Sequence, residues 1–311
     1  MRIVALGTGP FAVPTLRLLA DSGDAELLAV VTRPPRGRRG EPAAPMALAA
    51  DELGLPLWQP ESVNLAESVE RLAGYEADLL LVCDYGEILK PPALAATRLG
   101  GINLHGSLLP RYRGAAPVQW AVLNGDAETG VSVIQMTPGL DAGPVLGEAR
   151  TPIDPDETAG DLEARLAAMG AEVVQRVVAE LAAGAAQGRP QDGSQVSKAP
   201  RLKKEHGLID WSRPATQIKN QVRGLQPWPR AYTFAPQAKG EPLRLVVDRA
   251  EATDADGAPG EVLEADERLL VATGEGALEL LEVQPAGKRR MAAAEWLRGA
   301  KLSAGASLRS G

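Results

Sequence analysis

The sequence predicts an α/β chain in two parts: a doubly wound, mostly parallel, Rossmann-like sheet, then a smaller C-terminal β-barrel of the oligonucleotide-binding type. Three observations carry this. Short apolar strands alternate with amphipathic helices over the first half, the pattern of a parallel sheet wrapped by helices. Beyond residue 205 the pattern changes to successive short strands joined by glycine-containing turns such as TGEGA, which suits a small barrel. The 311 residues also exceed the roughly 100 to 200 of one usual domain.

Element by element, the strand IVALG leads into a helix from about Phe11 to Ala20, with Pro14 tolerable in its first turn, and then the strand ELLAVVT. RPPRGRRGEPAAP, Arg33 to Pro45, reads as a loop. A helix near Pro45 to Leu53, the strand PLWQ, a helix near Leu65 to Leu72 and the strand DLLLVC follow. After the strand GINLH come a loop and a helix from about Ala116 to Leu123. GVSVIQM and PVLGEAR alternate around the turn-rich TPGLDAG, as a hairpin does. A long helix repeats Leu162, Leu166, Met169, Val173, Val177 and Leu181 at helical spacing and closes a first domain, 1–184. Residues 185–205, AAQGRPQDGSQVSKAPRLKKE, have no period and many breakers, so a linker is expected. The barrel domain, 206–311, then opens with a helix near Ala215 to Leu225 and runs through AYTFA, LRLVVDRAEA, GEVLEA, RLLVAT and ALELLEV.

Composition narrows the class. Hydrophobic residues make up 45% and charged residues 23%, and no apolar run approaches the roughly 18 residues of a membrane span, so a soluble protein with no membrane partner is expected. Met1-Arg2 leads straight into a strand without an apolar signal region. The single cysteine, Cys83, cannot form an internal disulfide; within LLLVC it reads as a buried thiol, and a cytoplasmic location is expected. The net charge of −7 hides a split: residues 1–197 carry 15 Lys and Arg against 25 Asp and Glu, whereas 198–311 carry 18 against 15. Such asymmetry is a cue to an anionic ligand.

Two motifs compete for the chemistry. GTGPFA, Gly7 to Ala12, has the G-x-G-x-x-A form of a dinucleotide fingerprint between strand and helix. The second strand ends in Thr32-Arg33 where a nicotinamide site wants an acid. Arg33 suits only an NADP phosphate, and a tight strand-to-helix turn explains the glycines as well. The stronger signal is INLHGSLLPRYRGAAPVQW, which holds one of the chain's two histidines. Asn103 and His105 share a side-chain direction because strand neighbours alternate. Asp141, in the turn GLDAG, is the natural carboxylate to fix the imidazole tautomer and stabilise its charged form. An Asn amide supplies a donor to a developing oxyanion. Ser107 has no Gly-x-Ser-x-Gly elbow around it, so this acyl-transfer set lacks a nucleophile and the acceptor must bring its own. One histidine with scattered carboxylates does not meet the ligand count for zinc, and no metal is expected.

The run from Gly101 through NLHGSLLPRYRGAAP, then GDAETGVSVIQMTPGLDAG, IDWS, QPWPRAYT and QPAGKRRM closely resembles the methionyl-tRNA formyltransferase family over nearly the full length. The resemblance implies transfer of the formyl group of 10-formyltetrahydrofolate to the α-amine of initiator methionyl-tRNA, by direct attack through a tetrahedral intermediate. Asn103, His105 and Asp141 match the family's catalytic residues. Ser107, Leu108, Leu109 and Pro110 match its folate-contacting loop, and Val82, Asp84, Tyr85 and Gly86 of VCDYG its ligand-lining strand end. For tRNA the expected contacts are Arg36, Arg38 and Arg39 on the basic loop, with Lys203, Lys204, Lys288, Arg289 and Arg290 tracking phosphates. The family's Ala-Pro-Lys-Leu reads Ala199-Pro200-Arg201-Leu202 here. A monomer is expected. The alternatives are a formyltransferase with a purine-precursor or sugar-nucleotide acceptor, a noncatalytic RNA-binding protein on the same scaffold, and an NADP oxidoreductase.

Overall fold

The structure, a computed structural model, describes residues 1–23, 25–35, 43–237 and 240–309. The chain folds into two compact units. The first comprises Met1–Pro117, Glu128–Pro152 and Leu162–Pro200; the second comprises Val118–Ala127, Ile153–Asp161 and Arg201–Gly311.

The first unit is built from β1 (Arg2–Leu6), α1 (Val13–Ser22), β2 (Glu26–Val31), α2 (Pro45–Glu52), β3 (Leu57–Trp58), α3 (Ala66–Gly74), β4 (Leu79–Val82), α4 (Pro91–Leu94), β5 (Gly101–His105), β6 (Arg113–Gly114), α5 (Pro117–Leu123), β7 (Glu128–Gln135), β8 (Val145–Pro152), α6 (Ala159–Ala182) and β9 (Lys198–Ala199), with α5 and α6 each shared with the second unit. Its main sheet has the order β3-β2-β1-β4-β5-β7-β8. The first five strands pair in parallel and β7 and β8 are added antiparallel, so the expected hairpin extends one edge of the sheet. Central strands such as β4, LLLV, are buried along their whole length, as a parallel sheet covered on both faces requires. Val4, Leu6, Val31, Leu72, Leu80 and Val82 pack in one cluster of this core.

The order of strands reverses at β1, whose neighbours are β2 and β4, and ligands of such sheets bind beyond the carboxyl ends of the strands at that point. Here those ends carry Gly7–Gly9 and Cys83–Gly86, tied by hydrogen bonds from Cys83 N–H to Leu6 O (2.9 Å) and from Thr8 N–H to Asp84 O (3.0 Å). A β-carbon on Gly7 would stand 2.8 Å from both Ala12 Cβ and Cys83 O, so this glycine serves close packing of the turn. The helix α6 buries Leu162, Leu166, Val173 and Val177 as its period predicts, with Met169 and Leu181 half-buried. It lies so close to β5 that a β-carbon on Gly170 would come within 2.9 Å of the Leu104 methyls. Leu104 thereby commits its face of β5 to the core, and the alternating residues Asn103 and His105 face the other way.

The second unit contains α7 (Ala215–Gly224), β10 (Ala231–Ala235), β11 (Leu243–Thr253), β12 (Val262–Ala265), β13 (Leu269–Ala272), β14 (Ala277–Pro285), β15 (Met291–Ala292) and α8 (Ala293–Leu297). Its strands form one antiparallel sheet in the order β10-β11-β14-β13-β12, with β15 on β14. The two outer strands of that order are joined by the end of the chain: Ser307 bridges Glu261, just before β12, and Arg309 bridges Phe234 in β10. Backbone bonds from Leu308 N–H to Gly260 O (2.8 Å) and from Arg309 N–H to Phe234 O (2.9 Å) seal the seam. The sheet closes as a barrel because this segment bonds to both outer strands. Leu245, Val247, Leu269, Val271, Leu278, Leu280 and Leu308 fill it. Two segments within residues 1–184 belong to this unit through specific bonds: Arg223 Nη1 donates to Asp154 O (3.1 Å) and Glu157 O (3.3 Å), and Leu123 presses on Gly224.

Candidate active site in the first unit

The carboxyl end of β5 delivers the site. His105 is buried, and its Nε2 lies 2.9 Å from Tyr112 O. A carbonyl oxygen only accepts, so Nε2 carries the proton. The carboxylate expected to set the tautomer is Asp141; the Tyr112 carbonyl sets it instead. The neutral ring therefore leaves its Nδ1 lone pair towards Asp141, whose Oδ2 is 3.8 Å away. That distance allows an ion pair with the imidazolium but is too long for a hydrogen bond. Asn103 is half-buried on the same face of β5 and, among the described residues, its amide has no hydrogen-bond partner. An uncommitted amide on the same strand face as the imidazole is a donor available to a developing oxyanion.

Asp141 is held from two sides. Its Oδ2 accepts a hydrogen bond from Gly114 N–H at 2.9 Å, and its carbonyl accepts one from Gln191 Nε2 at 2.8 Å. Gly114 has φ +133, and a β-carbon there would stand 2.4 Å from Ala199 O, so only glycine fits between β6 and β9. The expected linker, 185–205, contributes β9, which pairs in parallel with β6, and Ser197, which accepts from Tyr112 N–H at 2.9 Å through its Oγ. Gln191, Ser197 and the Tyr112 carbonyl are site-forming groups that the sequence reading missed. The first two sit in a stretch without periodicity, and the third is backbone.

The loop after His105 is stapled to β7. Ser132 Oγ donates to Ser107 O (2.8 Å) and accepts from Leu109 N–H (3.0 Å), while Ser107 Oγ donates to Arg111 O (2.7 Å). Ser107 is fully buried, Leu109 packs with Ile134 and Val145, and Leu108 lies against Gly130. The Leu109-Pro110 peptide is cis. The side chains of Ser107 and Leu109 are thus engaged internally, which leaves the half-buried Leu108 and Pro110 as the residues of this loop able to meet a ligand. Ser132 had a sequence signal: a hydroxyl inside the apolar run VSVI.

The strand end 82–86 is divided. Val82 and Tyr85 are core residues, and the Tyr85 ring burial pushes its hydroxyl well up. Asp84 and Gly86 are exposed. Asp84 reaches water but is flanked by protein: it adopts φ 47 and lays its carboxylate over Gly9. Partial desolvation, aided by the negative charge of Glu163, pushes it up to about 6. Cys83 is buried, and its thiol is pushed up by burial and by Asp84 and Glu163.

Arg33 is committed to Glu87 at 2.7 Å. Glu87 also accepts from Ser62 and Asn64, and these contacts together with Arg33 hold it below the usual carboxylate range against the opposing effect of desolvation. A guanidinium so paired is not free to read an NADP phosphate. Arg36, Arg38 and Arg39 lie outside the described residues. Lys203, Lys204, Lys288, Arg289 and Arg290 are exposed on the second unit; Arg289 pairs with Glu295 and Arg290 with Glu282. The other histidine, His206, accepts from Lys203 N–H and meets Trp120 edge-on, within the second unit. Among the described residues no group of three His, Cys, Asp or Glu could hold a metal ion, and no helix is long and apolar enough to cross a membrane.

A doubly wound sheet with this Asn, His and Asp set, followed by a barrel, defines a formyl transferase. Residues 1–178 match the formyl transferase family and residues 201–301 the formyl transferase C-terminal domain. Methionyl-tRNA formyltransferase of Rhodopirellula baltica is 46% identical, covering 99% of this chain and 96% of the relative. That of Solibacter usitatus is also 46% identical, covering 100% and 99%. The chain belongs to the methionyl-tRNA formyltransferase family. Among solved structures, an N-formyltransferase from Helicobacter canadensis in complex with folinic acid and dTDP-3-aminofucose shares the fold, with a TM-score of 0.65 at 17% identity over 91% of this chain and 98% of that one.

Proposed function

We propose that this enzyme moves the formyl group of 10-formyltetrahydrofolate onto the α-amino group of initiator methionyl-tRNA, with the chemistry in the first unit at Asn103, His105 and Asp141. The observation that carries the reading is the pairing of family membership with an Asn103 side chain on the His105 face of β5 and an imidazole Nδ1 turned to the Asp141 carboxylate.

The neutral amine, present in appreciable fraction because α-amino pKa values lie near roughly 7.7, attacks the formyl carbon. The carbonyl oxygen gains the electron pair and becomes an oxyanion. The Asn103 amide donates to it. His105 donates as well when its ring is protonated, and it does so from Nδ1, since the Nε2 proton is committed to Tyr112. Asp141 takes the proton released by the amine, directly or through a water, and one proton returns to the folate nitrogen as its bond to the formyl carbon breaks. No enzyme nucleophile is required, because the formyl group arrives activated and the acceptor supplies the attacking nitrogen.

The loop 107–110, through the half-buried Leu108 and Pro110, and the strand end at Asp84 and Gly86 are read as the folate surface. Lys203, Lys204, Lys288, Arg289 and Arg290, with Arg36, Arg38 and Arg39, are read as the tRNA surface, where cations displace the counterions of phosphates. The enzyme is read as a cytoplasmic monomer with a catalytic domain and a tRNA-binding barrel.

The deciding experiment supplies 10-formyltetrahydrofolate with charged initiator tRNA, charged elongator tRNA or a sugar-nucleotide amine. Formylation confined to the initiator supports the reading; preference for the sugar-nucleotide amine overturns it.

A further inference from the structure

We propose that Gln191 is a positioning residue for formyl transfer that acts through Asp141, an inference that rests on the functional reading above. Asp141 has φ 48, in the left-handed region. A non-glycine residue persists there only where its surroundings hold it. Gln191 is what holds its backbone: Nε2 donates to Asp141 O at 2.8 Å and to Gly143 O at 2.7 Å, clamping the chain on either side of Ala142.

The orientation of that amide is not free. Arg113 donates to Gln191 Oε1 from Nη2 at 2.6 Å and from Nε at 3.1 Å. A guanidinium has only donors, so the oxygen must face Arg113 and the nitrogen must face the two carbonyls; a flipped amide would set donors against donors and acceptors against acceptors. Arg113 and Gly114 are consecutive, and they grip Asp141 at two points, one through Gln191 at the backbone and one directly at Oδ2. The chain that carries Gln191 is pinned before it, at Arg189, and after it, at Ser197. Arg189 exchanges two hydrogen bonds of 2.8 Å with Val145, and Ser197 O accepts from Arg113 N–H at 2.9 Å. The result is a closed loop of contacts whose effect is to fix where the Asp141 carboxylate stands relative to His105.

Gln191→Glu isolates this role. It keeps the length of the side chain and the contact with Arg113, but turns an oxygen instead of an N–H towards the Asp141 and Gly143 carbonyls. With Met-tRNA and 10-formyltetrahydrofolate, the expected result is a kcat lower by roughly 10- to 100-fold, the scale of a displacement of about 1 Å at a reacting group, with both KM values within about twofold. In single-turnover reactions on an Asp141→Asn background, the same substitution is expected to cost less than about twofold, because residues acting as one unit are not additive. If Gln191→Glu fails to fold, Gln191→Leu carries the same comparison. A kcat within twofold of wild type, a rise in KM alone, or an undiminished loss on the Asp141→Asn background overturns the proposal. Failure of the wild-type chain to formylate Met-tRNA would instead overturn the functional reading.

Discussion

His105 donates its Nε2 proton to the Tyr112 carbonyl, 2.9 Å away, and turns Nδ1 to Asp141 at 3.8 Å. The strand, the loop after it and the hairpin turn thereby meet at one ring. The ring's chemistry is confined to a single nitrogen. Nitrogen-15 NMR of the imidazole is expected to show, in the neutral form, a protonated Nε2 and an unprotonated Nδ1. The opposite tautomer would mean that the Tyr112 anchor is absent in solution.

Asp84 sets a pH dependence. Its pKa in the folded protein, about 6, lies above the ordinary aspartate value of 3.8. Between these values the folded protein keeps a proton that the unfolded chain has lost, so stability contributed by this group falls as pH rises through that window and stays reduced above it. Asp84→Asn, which tolerates the left-handed backbone, is expected to raise Tm relative to wild type near pH ~8 and to give no gain near pH ~3.5. A gain of equal size at both pH values would show that titration is not its source.

Gly114→Ala places a methyl 2.4 Å from Ala199 O at a residue with φ +133. Relief requires β6 and β9 to separate, which also withdraws the N–H that holds Asp141. A stability loss of about 1 to 3 kcal/mol in urea unfolding is expected, together with a fall in kcat. Unchanged stability and rate would show that the β6–β9 pairing is dispensable.

Barrel closure depends on the last turns of the chain. Leu308 is 2% exposed and sits in the seam that bridges β12 and β10. Leu308→Ala is expected to destabilise the protein by about 2 to 5 kcal/mol, the range for deleting a buried leucine side chain. A change in unfolding midpoint equivalent to less than about 0.5 kcal/mol, the scale of a surface substitution, would contradict closure by this segment.

The parts of this structure legible in sequence are those that repeat. Alternation of apolar strands and helices gave the parallel sheet, the spacing of Leu162, Leu166, Val173 and Val177 gave the buried face of α6, and GVSVIQM and PVLGEAR gave β7 and β8. His105 and Asp141 stood out as reactive types at the ends of strands. Single hydrogen bonds across long separations left no such trace. Gln191 lies 50 residues from Asp141 in a run of loop formers, and Ser307 to Arg309 close the barrel through backbone groups that any residue carries. The short helices α4 and α8 were also missed, because one turn is too brief to display a period.

Convergence of Asn103, His105 and Asp141 on the formyl carbon is tested most directly by the single-turnover rate of formyl transfer to initiator methionyl-tRNA in Asn103→Ala, His105→Ala and Asp141→Asn, alongside binding of folate and tRNA to each. Each substitution is expected to slow transfer by roughly 100- to 1000-fold or more, the scale of losing one oxyanion donor or one general base, while both substrates still bind. Transfer at the wild-type rate in any of the three would contradict the account.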